Sequence, residues 1–185
     1  MGLRNDGLRY GSIALLLHWS AAFCVLFAWI LGTLIDAFPK SWEAGVLFAH
    51  MSFGLVVLAL LLGRLGWRMA SPPPPPLATP LDPWGNVAAL AVHVLLYALL
   101  LMVPLVGIGL RFTRGQSVPL FGLYEIASPW VRDRALAASV KNVHALLANA
   151  LLILASLHAL AALAHHYVLK DDTLRRMLPG GGSRS

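Results

Sequence analysis

Seven histidines, His18, His50, His93, His144, His158, His165 and His166, carry the distinctive chemistry of this chain, because all lie within or beside long apolar runs. An ionisable side chain is costly in hydrocarbon, so an imidazole there is read first as a functional group. The runs hold almost no Asp or Glu, which removes the ligands of a carboxylate-held metal and the groups of a carboxylate proton relay. Structural zinc generally takes four ligands at one site, a poorer match to imidazoles spread along several runs. Two imidazoles at one depth on facing helices can instead fill both axial positions of a haem iron in the core of a bundle.

The elements that must position these pairs are four apolar runs, approximately 13–35, 47–67, 87–110 and 143–169. Each covers the roughly 30 Å of a bilayer's hydrocarbon, which needs about 20 residues of helix. The expectation is an all-α integral membrane four-helix bundle, one membrane domain over residues 1–185. Its connections are a short one around 36–44, a Pro-rich one over 71–83 and a longer one over 111–142. The prolines Pro72 to Pro76 favour an extended spacer. Arg4 and Arg9 precede the first run as they would in a signal peptide, but the run exceeds the roughly 7 to 15 apolar residues of such a leader. No small-residue cleavage site follows it.

Composition excludes the soluble alternatives. Apolar residues make up 58% of the 185 and charged residues 12%, about half the roughly 25% charge of a globular domain, and the mean hydropathy is +0.73. A soluble enzyme, a disordered chain and a disulfide scaffold are thereby set aside. The single cysteine, Cys24, sits in an apolar run as small filler and permits no intramolecular disulfide, CxxC site or zinc cluster. The net charge of +6 is read as juxtamembrane basic residues facing anionic lipid, not as a nucleic-acid surface.

Excess positive charge stays cytoplasmic. With both termini inside, the inner side holds Arg4, Arg9, Arg64, Arg68, Lys170, Arg175, Arg176 and Arg184, against Lys40, Arg111, Arg114, Arg132, Arg134 and Lys141 outside. Tryptophans 19, 42, 67, 84 and 130 fall near span ends as interfacial anchors, and Trp29 lies deep. Depth then sorts the histidines. His18 and His93 lie in the inner half, and His50 and His144 in the outer half, where they are the only pair available. His158 follows His144 by fourteen residues, about 21 Å along a helix and only about 40° around it, so it returns to the inner half on the same face. Its partner there is His18 or His93. His165, seven residues further, stays on that face at the inner boundary, and His166 is read as interfacial. Gly54, one turn after His50, leaves room for a porphyrin near the backbone.

The outer cations Arg111, Arg114, Arg132, Arg134 and Lys141 run against the inside-positive tendency. They are expected to form a funnel that concentrates a small anion; a lipid-headgroup contact or a solvated loop is the competing reading.

The same residues resemble the bacterial cytochrome b561 family of small four-helix membrane cytochromes. The matching pieces are RYGSIALLLHW with His18, AHMSFG with His50, HVLLYALLLMVPLVGIGL with His93, the RFTRG turn at 111–115, and KNVHALLANALLILASLHALAALAHHYVLKDDTLRRMLP. Together they cover residues 9 to 179, and the last piece is long and specific. The proline run is longer than usual for the family. The resemblance implies two haems b in a bacterial inner membrane, His18 and His158 holding the inner one and His50 and His144 the outer one. It further implies superoxide oxidation at the periplasmic face and reduction of ubiquinone near His93 and His165, with Trp19 beside the inner haem or quinone. A periplasmic electron donor is the alternative source of electrons. Two other readings stand beside this one: a haem b anchor subunit serving a dehydrogenase or hydrogenase, and a non-enzymatic membrane assembly protein. The anchor would be inert alone, and the assembly protein would purify without haem.

Overall fold

Every apolar run folds into a long helix, and α2, α3 and α4 begin before the run does. The computed structural model describes residues 2–180, with α1 (Ser12–Leu34), α2 (Glu43–Ala70), α3 (Trp84–Thr113) and α4 (Arg134–Ala164). All four are long and apolar enough to cross a membrane, the fourth continuing through one turn of π-helix, His165–Leu169. Arg184, counted above among the inner cations, lies outside the described residues.

The start of α4 departs from the hydropathy reading. Asp133 caps the helix by accepting the Leu136 N–H at 3.0 Å, so the helix begins well before the apolar run does. The connection after α3 is correspondingly shorter than the expected 111–142. It holds a small antiparallel hairpin, β1 (Val118–Leu120) and β2 (Tyr124–Ile126). Gly122 turns it with a φ of 73°, the left-handed conformation that glycine adopts at no steric cost. This tip rests beside Phe48 of α2, and Val118 is buried. Thr113, the last residue of α3, is also buried, and its carbonyl accepts the Asp133 N–H at 2.9 Å.

Helix packing divides the bundle into two hairpins. α1 lies along α2 and α3 along α4, and contact between the two pairs is sparser, closer for α2 with α3 than for α1 with α4. Among the described residues only nine apolar side chains other than proline are buried, including Leu15 and Cys24 on α1, Val57 and Leu61 on α2 and Leu151 on α4. Large side chains such as Leu16, Phe23, Leu62, Leu90 and Leu160 point outward, as expected where the solvent is lipid and apolar surface has no reason to hide. One polar contact bridges the open side: Trp29 Nε1–H donates to Asn149 Oδ1 at 2.8 Å.

Both ends of the described chain lie at the same end of the bundle as the α2–α3 connection. Asn5 Nδ2 donates to the carbonyls of Ser71 and Pro72, Arg176 Nη1 donates to Pro75 O at 2.7 Å, and Trp19 Nε1 donates to Met177 O at 2.7 Å. We refer to this as the terminal end and to the other as the hairpin end.

Trp29→Phe removes the donor of the α1–α4 contact and leaves Asn149 unpaired. We expect it to destabilise the detergent-solubilised protein by about 0.6 kcal/mol, with about 1.7 as the upper bound for such interhelical bonds, read as a lowered midpoint in thermal unfolding.

Candidate metal centres

The seam between the two hairpins holds the histidines. At the hairpin end His50 of α2 faces His144 of α4, with ring centroids 6.1 Å apart and planes at 84°. At the terminal end His18 of α1 faces His158 of α4, with centroids 6.4 Å apart and planes at 74°. His93 of α3 joins the second group, its centroid 5.2 Å from that of His158. Two imidazoles on one metal are separated by two metal–nitrogen bonds of roughly 2 Å plus roughly 1 Å from each coordinating nitrogen to its ring centre, about 6 Å in all. His50–His144 and His18–His158 match that span. His93 and His158 stand closer than it.

The donor set also suits a haem better than a bare ion. Among the described residues no group of three or more His, Cys, Asp or Glu is placed to hold a metal. Each imidazole pair could supply two nitrogen ligands to an iron, and a porphyrin would supply the rest. A Cβ on Gly54 would meet nothing within 4 Å, so the glycine is not a tight helix contact.

The hairpin-end imidazoles are oriented by helix carbonyls. His50 Nδ1–H donates to Ala28 O at 2.8 Å, and His144 Nδ1–H donates to Val103 O at 3.1 Å. A carbonyl only accepts, so Nδ1 carries the proton and the Nε2 lone pair is left for a metal. Both rings also rest on glycine. A Cβ on Gly32 of α1 would lie 2.8 Å from His50 Cε1, and one on Gly107 of α3 would lie 3.0 Å from His144 Cε1. Neither glycine stood out in the sequence. The His18 ring is held differently, by Arg64 Nη1 donating to Nδ1 at 3.1 Å and by the edge of Trp19 with centroids 5.3 Å apart. Arg64 also lies over the ring of Tyr97, its Cζ 5.5 Å from the centroid. The hydroxyls of Ser52, two residues from His50, and Tyr97, one turn from His93, are buried without a partner.

At the terminal end His165 opens the π-helical turn, and its Nδ1–H donates to Asp171 Oδ2 at 2.6 Å. The Thr173 N–H donates to the other oxygen of that carboxylate at 2.9 Å. Burial alone raises the Asp171 carboxyl, but the hydrogen bonds from His165 and Thr173 outweigh it and hold the group below its ordinary value. Asp171 escaped the sequence reading because it lies beyond the span. His166 stands edge-on to Tyr167, with centroids 4.8 Å apart.

The expected outer cations separate into two sets. Arg114, Arg132 and Arg134 line a recess of about 390 Å³ with Gln116, Asp133, Ala137 and Ala138. Arg111 and Lys141 are not among its lining residues. The Arg111 guanidinium is turned onto its own loop, donating to Ser117 O at 3.0 and 2.8 Å and to Gln116 Oε1 at 2.7 Å.

Four apolar helices with facing imidazoles across a seam have the architecture of a membrane cytochrome of b type. The family model described as prokaryotic cytochrome b561 matches residues 9–180, and this chain belongs to that family, whose members bind haem b and transfer electrons. Among its relatives, the probable superoxide oxidase CybB of Yersinia pestis is 35% identical over 171 residues, covering 92% of this chain and 96% of the relative. Cytochrome b561 homolog 2 of Escherichia coli K12 is 33% identical over 180 residues, 96% and 95% of the two chains. Cytochrome b562 of Cereibacter sphaeroides is 36% identical over 175 residues, 91% and 94%.

Because the folded-state value of Asp171 is depressed, its contribution to holding the segment after α4 is present above the ordinary value of 3.8 and is lost as pH falls through the depressed one. Hydrogen exchange at 165–178 should therefore be insensitive to pH-dependent opening from neutrality to about pH 4, and faster at all those pH values in Asp171→Asn.

Proposed function

We propose that this chain is a dihaem superoxide:ubiquinone oxidoreductase of the bacterial inner membrane, with both termini cytoplasmic. It takes electrons from superoxide at the periplasmic hairpin end and gives them to ubiquinone near the cytoplasmic terminal end. The observation that carries the reading is a facing imidazole pair at each end of one seam, 6.4 and 6.1 Å between centroids. His18 and His158 would hold the inner haem b, and His50 and His144 the outer one. A haem with both axial positions filled supplies one-electron transfer and no open position for oxygen activation. The name of the Yersinia pestis relative supports superoxide as the donor.

The remaining residues then have defined tasks. At the hairpin end, three guanidinium groups against the single Asp133 carboxylate give the recess a net positive field. They draw in a small anion and speed its encounter. Two superoxide anions yield two dioxygen molecules and two electrons; one quinone takes up those electrons and two protons to become quinol. His165, at the terminal end, would hydrogen-bond a quinone oxygen and pass on a proton. Asp171 accepts from its Nδ1–H, which leaves Nε2 as the nitrogen that would meet the quinone oxygen. His93, on α3 with its ring 5.2 Å from that of His158, would lie beside the same quinone. Ligation of iron through His18 Nε2 puts a proton on Nδ1, and Arg64 then keeps its other contact, the face of Tyr97.

A dithionite-reduced minus air-oxidised spectrum with a pyridine haemochrome count tests the core of this reading. We expect two haems b per chain, and the loss of one in either His50→Ala or His144→Ala; protein that cannot take up haem overturns the proposal. Substituting Arg114 and Arg132 by Gln should leave the haem count unchanged and lower the second-order rate with superoxide roughly tenfold at low ionic strength, with the difference shrinking as salt is raised. A purified chain that carries both haems yet reduces quinone only with a partner dehydrogenase would point to the anchor subunit instead.

A further inference from the structure

We infer that Gly32 and Gly107 are positioning residues for the outer haem, each forming the floor against which one ligating imidazole is set. The inference rests on His50 and His144 as the ligands of that haem. A Cβ on Gly32 would lie 2.8 Å from Cε1, 2.9 Å from Nδ1 and 3.7 Å from Nε2 of His50. On Gly107 it would lie 3.0, 3.4 and 3.8 Å from the same atoms of His144. Both rings therefore turn the same edge to the glycine and point Nε2 away from it.

The edge that meets each glycine is also the edge that is hydrogen-bonded. The acceptor is the carbonyl four residues earlier on the same helix, Ala28 before Gly32 and Val103 before Gly107. One turn of α1 thus clamps an imidazole from α2, and one turn of α3 clamps an imidazole from α4. The arrangement is repeated in both hairpins and aims the two Nε2 atoms into the seam from opposite sides. It is particular to this pair: no described glycine has His18, His93 or His158 among the neighbours its Cβ would meet. Gly45, Gly54, Gly66 and Gly109 face nothing within 4 Å.

Glycine is a poor helix former beside alanine, so alanine at either position favours the helix itself. It must nevertheless displace the ring by roughly 0.5 to 1 Å to reach ordinary contact distance, a misplacement large enough to matter at a coordination site. The displacement lengthens the bond to the carbonyl and tilts Nε2 off the line to its partner. The closer contact at Gly32 makes that substitution the more severe.

The test uses the full chain purified with haem, in the variants Gly32→Ala, Gly107→Ala, His50→Ala and the control Gly109→Ala. The readouts are haems per chain, the low-spin against high-spin optical spectrum, and the redox titration. Gly32→Ala should fall from two haems toward one, or turn one haem high-spin, while the other keeps its wild-type spectrum and thereby reports an intact fold. Gly107→Ala should shift the midpoint or spin state of the same haem with a smaller loss, and Gly109→Ala should match the wild type. If His50→Ala loses one haem while Gly32→Ala keeps two low-spin haems at wild-type midpoints, the inference is wrong and the ligand assignment stands. If His50→Ala keeps both haems, the ligand assignment itself has failed. Loss of both haems in Gly32→Ala, or an equal loss in Gly109→Ala, also overturns the inference, because the effect would then be general.

Discussion

Facing imidazoles separated by about 6 Å across a lipid-embedded seam impose the constraint on which the remaining structure depends. Burial of apolar surface does not hold helices together in hydrocarbon; close packing and hydrogen bonds must do so. The buried apolar set here is correspondingly small, and the helices are coupled closely only within each hairpin. What meets across the seam is His18 with His158 and His50 with His144. Carbonyls of α1 and α3 fix the second pair by their Nδ1 atoms, and Arg64 meets the Nδ1 of His18 in the first.

The two ends of the bundle solve different problems. At the terminal end Asn5, Trp19 and Arg176 tie three chain segments to one another through backbone carbonyls. The π-helical turn gives way to Lys170 in a left-handed conformation, which turns Asp171 back toward His165. At the hairpin end the cations stay at the surface, and the loop is stiffened by the hairpin, by Arg111 folded onto Ser117, and by the cap at Asp133. One end pairs an imidazole with a carboxylate and the other gathers guanidinium groups around a recess, the two features on which the electron flow proposed above draws.

Much of this was legible because helical periodicity is a strong signal in hydrocarbon. Run length marked four spans, and spacing alone placed His144 and His158 on one face of one helix. The sequence left His18 and His93 open as partners of His158, and the structure explains why: both lie within ring contact of it. Less visible was anything depending on contact between distant residues. Gly32 and Gly107 look like ordinary glycines in apolar helices until His50 and His144 are seen resting on them. The early start of α4 was missed because its first turns are amphipathic, though Asp133 is an N-cap signal that could have marked it. The cation cluster read as one group from sequence divides once Arg111 is found bonded to its own loop.

Both imidazole pairs draw one member from α4, the last of the four long helices in chain order. A ribosome that has inserted α1, α2 and α3 has therefore produced three of the facing histidines and no complete pair. The seam acquires its partners only when α4 docks, at nearly the same moment at both depths. With the proposed ligand set, cofactor capture therefore waits for α4, and a chain truncated before residue 144 would present His18, His50 and His93 to the bilayer with nothing opposite them.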